Sequence, residues 1–160
     1  MTPLFEIVQD YFQKNNWKPI PVQEGQPILR MGFAGRNGQW TCYAQVREDE
    51  PSQLQQFLFY SVLPANAPED KRDLTAEFIT RANYTLVIGG FEMDYTDGEL
   101  RYKTSINLAG TGVTPTAGLI HALVVPNILT VDQFLPGLMT VLFGGASPAE
   151  AIAKILTANR

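Results

Sequence analysis

The sequence predicts an α+β domain on an antiparallel sheet, its elements running helix, three strands, helix, two strands, helices. Three observations carry that prediction. Asn37-Gly38 and Asp97-Gly98, dipeptides favoured in tight hairpins, each sit between alternating apolar and polar residues. Segments with apolar residues at helical spacing precede, separate and follow these hairpins. Charge is also segregated. Residues 104–149 hold one acidic or basic side chain, Asp132, where the overall 18% would give about eight.

The first helix is expected over residues 3–14. Thr2-Pro3 offers a cap with proline at the first helical position, and Leu4, Phe5, Val8, Tyr11 and Phe12 form its stripe. Asn15-Asn16 should stop it, and residues 17–22, with two prolines, read as an extended crossing. If Asn37-Gly38 forms a two-residue turn, opposed residue numbers sum to 75. Phe33 then faces Cys42, Met31 faces Ala44 and Leu29 faces Val46, all on one apolar face. The strands would span residues 28–34 and 39–47. A charged turn at residues 48–52 leads to a third strand, residues 54–63. It is apolar on both faces and so is expected to be covered on both sides.

Pro64 and Pro68 break the chain before a second helix bearing Leu74, Phe78, Ile79 and Ala82. Asn83 is its expected left-handed stop. The second hairpin, turning at Asp97-Gly98, has opposed numbers summing to 195. Phe91 then faces Thr104, Met93 faces Tyr102 and Tyr95 faces Leu100. On the outer, solvent-facing side Glu92 meets Lys103 and Asp94 meets Arg101. Gly89-Gly90 marks a bulge or a close backbone approach. Thr114-Pro115 should cap a third helix that Pro126 ends or kinks. Thr130-Val131-Asp132-Gln133 reads as the capping box of a fourth, and Ser147-Pro148-Ala149-Glu150 as that of a last helix through Ala158. The expected organisation is one domain over residues 1–145 with a helix over 146–160 packed on it.

Within this pattern, the order of elements and one block of sequence resemble a known family. The block comprises Phe78-Ile79-Thr80-Arg81-Ala82-Asn83-Tyr84, Val87-Ile88-Gly89-Gly90-Phe91-Glu92-Met93-Asp94 and Asp97-Gly98-Glu99-Leu100-Arg101-Tyr102-Lys103. It is similar to the YbjN family of bacterial sensory-transduction regulators, which has a type III secretion chaperone-like fold. The resemblance implies a homodimeric domain that binds other proteins or peptides, without catalytic residues to carry over.

The residues themselves gather little chemistry. One cysteine, Cys42, allows no intrachain disulfide. One histidine, one cysteine and scattered acids make no metal ligand set, so no metal or cofactor is expected. With no basic, apolar leader at the N-terminus, the reading is a cytoplasmic protein. A net charge of −4 and a pI near 4.9 argue against nucleic acid. The apolar runs 119–125 and 134–143 are too short for a membrane span. His121 is the one possible centre of a nucleophilic relay, with Ser, Thr or Cys42 as nucleophile. Lacking a neighbouring carboxylate, it reads better as a packed or interface histidine. Cys42, on an inner strand face, reads as an inert core thiol. The acids Glu92, Asp94, Asp97 and Glu99 read as ladder partners and turn residues rather than a cation site. The glycines at 89–90, 110–112 and 144–145 match no phosphate loop.

The charge-poor stretch is therefore the main functional candidate. Helices apolar nearly all round need cover, from the domain's own core or from a partner. Leu119, Ile120, Leu123, Val124, Phe134 and Leu138 are the interface candidates. The alternative is that these helices and the sheet enclose a pocket for a small apolar ligand or lipid.

Overall fold

A computed structural model describes residues 3–158. The first apolar stripe forms helix α1 (Pro3–Lys14), which buries Leu4, Phe5, Val8, Tyr11 and Phe12. Its expected cap, Thr2, lies outside the described residues. Asn16, at φ 64°, turns the chain out of the helix. The crossing that follows contributes a two-residue edge strand, β1 (Ile20–Pro21). Strands β2 (Ile28–Ala34), β3 (Gln39–Asp49) and β4 (Leu54–Val62) form a meander. A short 3-10 turn, Glu69–Lys71, leads into α2 (Arg72–Tyr84). Strands β5 (Gly90–Met93) and β6 (Leu100–Asn107) follow, then helices α3 (Ala117–Phe143) and α4 (Pro148–Ala158). The architecture is the expected α+β one: a six-stranded antiparallel sheet, ordered β1-β2-β3-β4-β6-β5, and four helices among the described residues.

Both hairpins differ from the expected register by two residues, which preserves every face because side chains alternate with a period of two. In the first, Phe33 pairs with Trp40, Met31 with Cys42 and Leu29 with Ala44. The loop has four residues, Gly35 to Gly38, closed by a 2.8 Å bond from the Gly35 N–H to the Gly38 carbonyl. A type I′ turn needs positive φ at both central residues, and neither Asn37 nor Gly38 has it. A tertiary contact overrides the local preference. The Asp132 carboxylate accepts the N–H groups of Arg36 at 3.0 Å and Asn37 at 2.8 Å. In the second hairpin Met93 pairs with Leu100 and Phe91 with Tyr102 across a six-residue loop. Gly98 alone supplies the left-handed residue there, at φ 77°, and the Ala67 N–H donates to its carbonyl at 2.8 Å.

The inner sheet face is largely apolar, from Leu29 and Met31 through Cys42, Ala44, Phe57 and Phe59 to Tyr102 and Phe91, with the buried hydroxyls of Ser61 and Thr104 set among them. Phe12 of α1 stacks on Phe59, and Phe134 of α3 meets Phe91. No helix crosses the outer face among the described residues. Strand β4 is thus covered on one side only, contrary to its two-sided apolar pattern. Leu58 is nevertheless buried there, whereas Tyr60 and Val62 stay half-exposed.

The helices depart from expectation most clearly at proline. The charge-poor stretch forms one continuous 27-residue helix, α3, with Pro126 and Pro136 inside it. Thr116, not Thr114, caps it, its side chain accepting from the Leu119 N–H at 3.2 Å. The expected box at Thr130 lies mid-helix. Each proline removes the N–H that would reach the carbonyl four residues back. For Pro126 that carbonyl belongs to Ala122, an exposed residue. For Pro136 it belongs to Asp132, and the Asn37 side-chain amide donates to it at 2.8 Å. The helix therefore continues because the group its second proline orphans finds a partner on the hairpin. By length and composition alone α3 could cross a membrane, but here one side of it packs on the sheet.

Asn83 is also not a left-handed stop. Helix α2 ends past it at Thr85, and its carboxamide instead pins β5, accepting the Phe91 N–H at 2.7 Å and donating to the Phe91 carbonyl at 3.0 Å. Helix α4 begins as expected, with Ser147 Oγ accepting the Glu150 N–H at 3.2 Å. It packs against α2 and α3, burying Ala151, Ile152 and Ile155.

Candidate functional site

Two local features build a groove beside α3. Gly35 lets the β2–β3 hairpin tip approach the helix, since a Cβ there would lie 2.3 Å from Asp132 Oδ1. Gly137 lets α4 approach from the other side, since a Cβ there would lie 2.4 Å from Ile155 Cδ1. Between hairpin tip and α4 lies a groove of about 640 Å³. Its apolar surface comes from Leu129, Pro136 and Ile155, and its cations are Arg36 from the hairpin and Lys154 from α4. Neither cation enters the ion pairs formed among the described residues. Asp132, the groove's carboxylate, is held by the two hairpin N–H groups.

The expected interface residues divide between core and surface. Ile120, Val124, Phe134 and Leu138 are buried within the chain's own core, and Leu119 and Leu123 stay half-buried. Their helical spacing could not separate them, because α3 is apolar on most sides and only contact with the sheet selects the inner one.

His121 is exposed, with Nδ1 3.0 Å from the Tyr11 hydroxyl. Burial raises the Tyr11 phenol above its ordinary pKa. No carboxylate bonds to His121 among the described residues. Cys42 belongs to a different cluster, 3.6 Å from Ser61 Oγ, and burial pushes its thiol up to about 12. That suits the inert core thiol expected of it, since the thiolate is the reactive form.

The acidic cluster resolves into structural roles. Glu92 bonds both Arg101, at 2.9 Å, and Lys103, at 3.1 Å. Asp94 does not pair with Arg101 as the expected register had implied, because in the observed register Glu92 opposes Arg101. It accepts the Thr96 N–H at 2.8 Å, and this bond chiefly holds its carboxyl below the usual range. Asp97 accepts the Glu99 N–H within the same loop. Among the described residues no three His, Cys, Asp or Glu side chains gather as metal ligands. Gly89, at φ 76°, is a close approach, its absent Cβ lying 2.6 Å from the Lys103 carbonyl. Thr111 closes the 110–112 loop through the Leu108 carbonyl and the Val113 N–H.

Sequence reading missed a buried polar cluster beneath α3. Asn127 is fully buried. Its amide donates to the Phe59 and Tyr102 carbonyls and the Thr104 hydroxyl at 3.1–3.2 Å. Its oxygen accepts from Ser61 Oγ at 2.6 Å, and Ser61 accepts the Trp40 indole N–H at 3.0 Å. An asparagine in an apolar run was the only available signal.

A search of curated proteins returns no match. A family model does match, over residues 5–138, from α1 through most of α3. That family is described as a "putative bacterial sensory transduction regulator". The match includes the helix-to-hairpin block in which Asn83 pins β5 and Glu92 bridges Arg101 and Lys103. By the extent of this match, the chain belongs to the YbjN family.

Proposed function

We propose that this regulator-family chain is non-enzymatic and acts by binding a protein or peptide, as a homodimer in the cytoplasm without a membrane span. The domain is taken as residues 1–145, with the segment 146–160, which carries α4, an addition to it. The observation that carries the reading is the uncovered outer face of the sheet. Arg30, Tyr43, Tyr60 and Lys103 oppose one another in a row across β2, β3, β4 and β6. Val62 and Arg101 oppose each other in the next row, and the Arg101 guanidinium lies 4.5 Å from the Tyr60 ring centroid. Half-exposed tyrosines with cations beside them are the composition of a protein-binding surface, where aromatic and arginine side chains supply most of the energy. On the helical side Leu119 and Leu123 remain as interface candidates.

Sedimentation of the wild type at micromolar concentration, beside Tyr43→Asp and Leu119→Asp, tests this. The expected result is a dimer that Tyr43→Asp dissociates while its circular dichroism stays unchanged. Dissociation by Leu119→Asp alone would move the interface to α3. A monomeric wild type that binds no apolar dye would count against the whole reading. A small apolar ligand remains the second reading, favoured by the groove beside α3.

A further inference from the structure

The geometry points to the groove between the β2–β3 hairpin tip, α3 and α4 as a binding site for a free anionic amphiphile, an acyl chain ending in a carboxylate. This site lies away from the outer sheet face; it rests on the small-ligand reading of the groove and does not depend on the protein-binding one. Three observations lead to the ligand's chemistry.

The first is size. About 640 Å³ falls within the usual 300–1,000 Å³ of small-molecule sites. The second is charge. The chain as a whole is −4, yet the groove carries Arg36 and Lys154 against the single carboxylate of Asp132, a local balance of +1. Asp132 is engaged by two backbone N–H groups, whereas neither cation enters an ion pair among the described residues. The third is the apolar surface. Leu129 is 59% exposed on the groove side of α3, beside Pro136, with Ile155 opposite on α4. An acyl chain would cover Leu129 and Pro136 and reach the edge of the largely buried Ile155, and its carboxylate would meet a guanidinium or an ammonium, the partners that bind carboxylates best. A cationic or neutral amphiphile would gain the apolar contact and lose the charge pairing.

Both close approaches that shape the groove involve α3, at Gly35 and Gly137. An occupant would therefore touch three elements at once.

The test is methyl-detected NMR of the full chain, titrated below micelle formation with decanoate, decanol and decyltrimethylammonium. Decanoate is expected to give saturable shifts at Leu129 and Ile155. The double variant Arg36→Gln, Lys154→Gln should weaken its binding by about tenfold, as expected for two solvent-screened charge pairs. Both replaced residues are surface side chains, and the far methyls, such as those of Leu4, report that the variant is folded. Equal binding of decyltrimethylammonium, no loss in the double variant, or no saturable shifts at all would overturn the proposal. So would binding to phosphatidylglycerol vesicles without binding to monomeric decanoate, which would assign the site to a lipid surface.

Discussion

Replacing Asn127 with leucine tests whether the buried cluster fixes α3 to the sheet. Leucine keeps asparagine's branched shape at Cγ but is larger, so the change removes the polarity and adds some overpacking at a fully buried site. It deletes the acceptor for the Ser61 hydroxyl at 2.6 Å and the donor shared by Phe59, Tyr102 and Thr104. A buried donor left without a partner costs about 1–3 kcal/mol, and each lost bond about 1 kcal/mol net. The apolar gain of the leucine side chain offsets about 1.5–3 kcal/mol of this. The expected net loss is about 2–4 kcal/mol. For a chain of this size that lowers Tm by roughly 4–16 °C, at about 2–4 °C per kcal/mol. Urea unfolding followed by tryptophan fluorescence reads the change directly, because the Trp40 indole is bonded to Ser61. Ser61→Ala, which also takes the acceptor from the Trp40 indole N–H, should cost less beside Asn127→Leu than in the wild type, since there the hydroxyl has already lost its own acceptor. An unchanged unfolding midpoint in Asn127→Leu, or strict additivity with Ser61→Ala, would refute the argument.

Other predictions follow from single contacts. Asn37→Ala should cost about 0.5–1 kcal/mol in the wild type but less beside Pro136→Ala, which restores a helical N–H for the Asp132 carbonyl; a double-mutant cycle in urea measures the difference. Gly98→Ala should destabilise by at least about 1 kcal/mol, because the site has φ 77° and a Cβ would lie 2.1 Å from the Ala67 carbonyl; thermal unfolding measures it. Cys42 should resist an aromatic disulfide reagent at pH 8 until the chain unfolds. Its pKa is raised on folding to about 12, so its contribution to stability is complete below the ordinary thiol range and is lost as pH rises toward 12. Stability measured against alkaline pH should fall accordingly, and Cys42→Ser should reduce that fall.

Much of the fold was legible because it rests on period and parity. The alternation in β6, with Leu100 and Tyr102 inward and Arg101 and Lys103 outward, identifies its faces without knowledge of its partner. The hairpin registers were not legible, because their loops answer to distant groups. Asp132 holds Arg36 and Asn37 from 95–96 positions away, and Ala67 holds Gly98. Proline misled for the same reason. Pro136 reads as a helix breaker locally, and only the Asn37 amide shows why the helix passes through it. Of the groove, Asp132 alone stood out, as the one charge in a long neutral stretch. Gly35 and Gly137 carry no sequence signal, since their role is to leave room for atoms of other elements. The outer sheet face was visible in part. The polar side of β6 announced it, but the apolar pattern of β4 concealed it, because Leu58, Tyr60 and Val62 all lie on that face.

The two polar anchors of α3 set its rotation as well as its position. Asn127 grips the sheet and Asp132 grips the hairpin tip. They lie five positions apart, which on an α-helix is about 140° of turn. The helix is thus indexed like a key with two teeth. Inserting or deleting one residue between them would swing one tooth by about 100° and release either the sheet or the hairpin. Changes of length belong instead in the 109–115 loop before the helix, where the same insertion would leave both anchors in phase.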